Sequence, residues 1–236
     1  MKKSLGILGG MGPLATVDLF RQIVTLTEAA CDNDHIRIYI DNNSRVPDRT
    51  AAILSGGPDP VPEMLDALRH LEACGANLVI MPCNTAHYFL PRLQAQTALP
   101  ILSMPDITAA ACARRYHGKT AAILATRGTL ATGIYDRALQ QAAVPFLLPT
   151  PAEQDALMRV IYQGVKAGEP PATYRRDLET VTAALTARGA DYFILGCTEL
   201  PLAVQLLGLR VPAVNPTEEL AKAAIEACGY RVKKLA

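Results

Sequence analysis

The chain has no tryptophan, and aromatic residues make up only 5% of its 236 positions. Charge is scarce as well: 19% of residues are charged, with 23 Lys and Arg against 22 Asp and Glu, for a formal net charge of +1. No basic run exceeds a pair such as Lys233 and Lys234. A nucleic-acid partner is therefore not expected, because nothing gathers enough cations to neutralise a row of phosphates. The six Cys form no C-x-x-C pair, and the four His do not fall near them at metal-ligand spacings, which argues against a zinc site. Long apolar runs are missing too, so no membrane span is expected. The start, "MKKSLGILGGMGP", has two lysines and a short apolar run, but glycines and a proline break it and no cleavage site follows. It reads as a first strand and loop, in a cytoplasmic protein whose cysteines are free thiols.

Apolar residues are present in quantity but in short bursts. Half of the chain is hydrophobic, enough to bury a substantial core in one large or two small domains. Runs such as "LGIL", "IRIYID", "NLVIMP", "PIL", "TAAILA", "DYFILG" and "VPAV" alternate with segments of helical periodicity at 61–74, 152–167 and 174–188. That alternation predicts an α/β fold of βαβ units around mostly parallel sheets. Pro and Gly clusters at 56–60 ("GGPDP") and 168–171 ("GEPP") mark connections.

The chain also matches itself. "GANLVIMPCNT" (75–85) aligns with "GADYFILGCTE" (189–199), placing Cys83 over Cys197 at an offset of 114. "ILGGMGPLAT" (7–16) aligns with "ILATRGTLAT" (123–132), and Pro100 with Pro212, at offsets of 116 and 112. Three ordered matches at nearly constant offset predict two similar α/β domains related by a pseudo-two-fold axis, with the active site in the crevice between them. The expected division is residues 1–103 plus 215–236 for the N-terminal domain and 104–214 for the C-terminal domain.

Cys83 and Cys197 then occupy equivalent strand ends, each opening a helix, where ligands gather in parallel α/β sheets. A helix N-terminus is expected to favour the thiolate. Two opposed acid/base groups of one type suit removal of a proton from one face of a carbon and delivery of another to the opposite face. Cys31, Cys74, Cys112 and Cys228 are read as ordinary small apolar side chains. A competing motif, "GMGPLA" (10–15), fits a loose dinucleotide pattern with Asp41 after the next strand, which keeps a nicotinamide-dependent oxidoreductase as an alternative. The Asp lies 31 residues past Gly10, beyond the usual spacing of about 20, and a tight turn explains the glycines as well.

With "GILGGMGPLAT", "VPDRT" (46–50), "MPCNTAH" (81–87), "ILATRGTLATGIY", "YQGVKAG" (162–168) and "GCTEL" in place, the sequence resembles the cofactor-independent aspartate/glutamate racemase superfamily. Within it the chain is most similar to the aspartate racemase branch. The glutamate racemase branch would instead open with Asp-Ser-Gly and carry Cys-Thr-His, where this chain has Gly10-Met11-Gly12 and Cys197-Thr198-Glu199. The resemblance implies a homodimeric isomerase that interconverts L- and D-aspartate or glutamate without pyridoxal phosphate, other cofactor or metal. Cys83 and Cys197 would be the two bases. The resemblance further implies that Asn84, Thr85, Thr126 and Thr198 hold the α-carboxylate and amino group. Arg49, next to Asp48, would clamp the side-chain carboxylate, and Lys166 would add a second positive charge. Met11 would line the pocket, with Glu199 beside the second Cys. Taken alone, Asp48 and Arg49 also fit a solvated surface pair, Lys166 a cation at a helix end, and Thr85 and Thr198 simple caps. His87 receives no chemistry. Other carbon-acid isomerases, such as maleate isomerases, and a non-catalytic binder of acidic amino acids stay open.

Overall fold

Strands that are apolar on both faces need helices on both sides, and the chain supplies them twice. The structure, a computed structural model, describes residues 2–234; Met1, Leu235 and Ala236, which the expected N-terminal domain includes, lie outside the described residues. The chain divides into two compact units, one running to Ile107 and resuming at Thr217, the other Thr108–Pro216. The first holds β1 (Leu5–Gly9), α1 (Pro13–Leu26), β2 (Ile38–Asn42), α2 (Arg49–Leu54), α3 (Val61–Ala73), β3 (Leu78–Ile80) and α4 (Leu90–Gln94). After α5 (Met104–Arg115) come β4 (Ala121–Ala125), α6 (Arg127–Ala131), α7 (Ile134–Gln141), β5 (Phe146–Leu147) and α8 (Pro151–Met158). Then follow α9 (Arg175–Ala187), β6 (Tyr192–Gly196), α10 (Glu199–Leu207) and β7 (Ala213–Val214), and α11 (Pro216–Ala227) returns to the first unit.

Both sheets are parallel and share one strand order. The first runs β2-β1-β3, extended past β3 by a parallel bridge from Val79 to Ile101; the second runs β5-β4-β6-β7. The internal repeat reaches single hydrogen bonds. Val79 N–H donates to Pro100 O at 2.9 Å, and Phe193 N–H to Pro212 O at 2.9 Å. Ser4 N–H donates to Asn77 Oδ1 at 2.9 Å, and Thr120 N–H to Asp191 Oδ2 at 2.8 Å. Gly75 and Gly189, at φ 89° and 100°, end their helices in the left-handed region that glycine alone enters freely.

Side-chain alternation divides each core in two. In the first unit Leu5, Ile7, Leu78 and Ile80 meet α1 and α11 through Leu19, Ile23, Leu220 and Ile225, while Leu8 and Val79 meet Met64, Leu68 and Leu71 of α3. In the second, Leu124, Phe193 and Leu195 pack on Leu157, Leu178 and Leu200, and Ile123, Tyr192 and Ile194 on Tyr135 and Leu139.

One local feature departs from the sequence expectation. The helical segment 152–167 is α-helical only to Met158; Arg159–Val165 is a π-helical stretch, closed by Lys166 N–H to Ile161 O at 3.0 Å. Gly164 lets the Tyr174 ring approach its backbone, where a Cβ would lie 2.5 Å from the ring. The glycine loop after β1 is also explained by its own packing. Gly10 has φ 90°, a Cβ there would stand 2.2 Å from Asn43 O, and its N–H donates to Thr16 Oγ1 at 3.0 Å. Asp41, the acidic residue of the dinucleotide reading, holds His70 at 2.7 Å.

Candidate active site

Parallel sheets present their functional residues at the carboxyl ends of the strands, and all the residues singled out in the first unit gather after β1, β2 and β3. Cys83 lies three residues past β3 and is buried in the same cluster as Met11, Val46, Met81 and Ala86. The segment that follows it is not the α-helix start expected from sequence but a short 3-10 turn, Thr85–Phe89, preceded by Asn84. So short a turn brings little dipole to the thiol. Asn84 and Thr85 are both buried.

His87 fastens this segment. Its Nδ1 lies 2.9 Å from Cys83 O, and its Nε2 accepts from Met104 N–H at 3.1 Å. An amide can only donate, so Nε2 is the acceptor and the proton sits on Nδ1, which donates to the Cys83 carbonyl. Burial pushes the imidazole below its ordinary range and keeps it neutral, against the opposing pull of the carbonyls. Sequence reasoning gave His87 no role. The available signal was its place four residues past Cys83, in reach of that residue's carbonyl.

Arg49 and Asp48 do not form a solvated pair. Asp48 is exposed and caps α2, its Oδ1 accepting from Ala51 N–H at 2.8 Å. Arg49 turns inward and is 9% exposed. Its guanidinium donates to Val46 O at 3.2 Å, Pro47 O at 3.0 Å and Met11 O at 3.1 Å. One buried cation thus ties the loop after β2 to the loop after β1, beside the Met11 side chain that shares the Cys83 cluster.

The second unit gathers the other residues. Ala125 pairs with Gly196 across β4 and β6, so Thr126 and Cys197, the next residues on each strand, stand at the same sheet end. Thr126 is buried and caps α6, its Oγ1 accepting from Thr129 N–H at 3.2 Å. The buried Cys197 thiol donates to Glu199 Oε2 at 2.9 Å, and Thr198 Oγ1 reaches the same oxygen at 3.2 Å. Lys166 Nζ stands 3.8 Å from Glu199 Oε1 and 4.5 Å from the centre of the Tyr162 ring. The π-helical stretch, followed directly by Lys166, carries both cation and ring.

This geometry corrects the expectation of a lowered thiol pKa at the second cysteine. Burial first, and then the negative Glu199, push Cys197 well above the ordinary thiol range; Lys166 opposes them and loses. A helix dipole contributes about 0.3–1 kcal/mol, up to about 2 in partly buried sites, too little against full desolvation with a carboxylate in contact. At rest Cys197 is a thiol, an acid whose proton points at a carboxylate. Among the described residues no group of three or more His, Cys, Asp or Glu could hold a metal ion, and no helix is long and apolar enough to cross a membrane.

A duplicated parallel α/β protein with a buried thiol after the equivalent strand of each repeat is a specific object, and comparison with known proteins places it. The family described as Asp/Glu/Hydantoin racemase matches residues 8–224. The chain therefore belongs to the Asp/Glu/hydantoin racemase family. An aspartate racemase structure from Picrophilus torridus superposes with a TM-score of 0.85 at 30% identity, covering 98% of this chain and 96% of that one. The glutamate racemase isoform RacE1 of Bacillus anthracis shares the fold at a TM-score of 0.65 and 23% identity, over 96% of this chain and 83% of that one. In sequence, the broad specificity amino-acid racemase RacX of Bacillus subtilis is 23% identical over 230 residues, 94% of this chain and 96% of its own length.

Proposed function

We propose that the protein is a cofactor-independent amino-acid racemase for acidic substrates, aspartate before glutamate, in which Cys83 and Cys197 act on opposite faces of Cα. The observation that carries this reading is the pair of buried thiols at equivalent positions of a duplicated fold. One thiol gives up its proton to become the base, the other delivers a proton, and the stereocentre inverts. A Cα carbanion with no cofactor to delocalise it must be stabilised as its carboxylate gains enolate character, which calls for preorganised donors. Asn84, Thr85, Thr126 and Thr198 are proposed for that task, and Met11 for the pocket wall. Arg49 and Lys166 are the proposed partners of the side-chain carboxylate; Asp48 acts by capping the helix that starts with Arg49.

The similarity to an aspartate racemase at 30% identity supports aspartate as the first substrate. The similarity to a racemase named for broad specificity supports a second reading, in which non-acidic amino acids also turn over. Cα exchange in D₂O separates them, using reduced protein without added cofactor and L-aspartate, L-glutamate and L-alanine in turn. We expect deuterium at Cα together with the D-enantiomer, fastest for aspartate. Exchange of neither acidic amino acid by folded, reduced protein would end the reading.

The proposal includes a cytoplasmic setting, where thiols stay reduced, and a homodimer. The dimer is supported by an exposed apolar stripe along α1, formed by Leu14, Val17, Phe20 and Val24. Sedimentation should give the mass of two chains, and Val17→Asp should shift it toward one; a wild-type protein that sediments as a monomer at micromolar concentration would remove the dimer.

A further inference from the structure

We propose that Lys166, Glu199 and Cys197 form a substrate-triggered proton relay: the second carboxylate of an acidic amino acid draws Lys166 off Glu199, and Glu199 then takes the proton of Cys197. The inference rests on the racemase reading above and concerns how its second base is made.

The three groups form a chain inside one unit. The Cys197 thiol donates to one oxygen of Glu199 at 2.9 Å, and Lys166 Nζ stands 3.8 Å from the other. The Glu199 side chain is 12% exposed and that of Lys166 28%, so the ammonium is the solvent-facing end of the chain. A separation of 3.8 Å exceeds the 2.7–2.9 Å of a charge-assisted hydrogen bond. An incoming carboxylate competes with Glu199 for the ammonium across this long pair, and every ångström it draws Lys166 away weakens the older pair.

A thiol cannot abstract a proton from Cα, so Cys197 must first lose its own. The proton moves from Cys197 Sγ to Glu199 Oε2; an S–H bond breaks, an O–H bond forms, and the pair keeps one negative charge. Lys166 attracts the negative charge on either group, but it stands against the carboxylate and one group removed from the sulfur, so while it lies there the charge is held on Glu199 and the transfer is opposed. Once a substrate carboxylate neutralises Lys166, that hold is gone and Glu199 becomes the better proton acceptor. The thiolate then takes the Cα proton, and the Cys83 thiol delivers its proton to the opposite face. After product leaves, Lys166 returns to Glu199, whose proton passes to water, and the Cys83 thiolate takes one from water. The reverse reaction runs the same steps backward.

The relay makes discrimination a matter of rate as well as binding. An amino acid without a second carboxylate leaves Lys166 in place and meets Cys197 as an idle thiol. Glu199, placed beside the second cysteine as a substrate contact, becomes a catalytic residue instead.

The test is Cα exchange in D₂O with L-aspartate and with L-alanine, the latter with and without added acetate, for wild type, Glu199→Gln and Lys166→Met. Glu199→Gln should lower kcat on aspartate by about 10²-fold with KM within about threefold. Because the equilibrium constant of racemisation is 1, its kcat/KM must fall equally from both enantiomers. Lys166→Met should weaken aspartate turnover yet raise alanine exchange by about tenfold, and acetate should raise wild-type alanine exchange by filling the place of the missing carboxylate. The acetate arm needs no variant to fold. Wild-type kcat in Glu199→Gln, or alanine exchange unmoved by both Lys166→Met and acetate, overturns the relay. Wild type that exchanges neither aspartate nor glutamate overturns the racemase reading, and the relay with it.

Discussion

Cys83→Ser and Cys197→Ser should each abolish racemisation, by about 10²–10⁴-fold in kcat, the span attributed to a positioned acid or base, while leaving the fold in place. Serine keeps the size of the side chain and its capacity to donate a hydrogen bond, but an alcohol is neither a usable base near neutral pH nor a comparable acid. Both cysteines are buried, so alanine would add a small cavity and confuse stability with chemistry; serine separates them. The more telling readout is exchange without inversion. A protein with one thiol left can remove the proton from one enantiomer and return solvent deuterium to the same face. Cys83→Ser should label one enantiomer without forming the other, and Cys197→Ser should label the opposite one. Either variant racemising within tenfold of wild type would show that its cysteine is only a small apolar side chain.

Much of this was legible in sequence because the two repeats report on each other. Cys83 and Cys197 stand out from four other cysteines through the shared pattern around them, and the same pattern carries Asn77 over Asp191 and Gly75 over Gly189, whose backbone roles coincide. What was not legible depended on side-chain direction. Taken alone, the adjacent charges at Asp48 and Arg49 also fit a surface pair, yet one faces water and caps a helix while the other turns inward to three carbonyls. The resting state of Cys197 turns on a glutamate two residues away folding back onto the thiol. Strand β5, two residues within "VPFLLP", is too short to show any periodicity. The π-helical stretch carries the apolar spacing of a helix and differs only in which carbonyl each amide reaches.

His87 should prove to be a structural pin for Cys83, and two substitutions separate its parts. His87→Leu removes the imidazole from the Cys83 carbonyl and the Met104 amide; with a cost of about 1–3 kcal/mol for each buried hydrogen bond lost, loss of about 2–6 kcal/mol is expected in denaturant titration. His87→Gln can donate to the carbonyl and accept from the amide through its own amide group, so it should recover much of that loss. The pH dependence gives the independent check. The folded pKa of His87 lies below its unfolded value, so in this window the unfolded chain binds more protons and stability rises with pH. The contribution is complete above about pH 6.5, the unfolded histidine value. It is lost as pH falls below that and through the depressed folded value, with a slope of at most about 1.4 kcal/mol per pH unit. His70, exposed beside Asp41, is shifted upward and acts in the opposite sense, but it is common to both proteins and cancels in the difference between wild type and His87→Gln. That difference should shrink with falling pH, because only wild type must charge a buried imidazole. A difference that stays flat from pH 8 to pH 5 would mean that His87 is not held neutral in the fold. In that case the Cys83 carbonyl would have to owe its position to the surrounding apolar cluster.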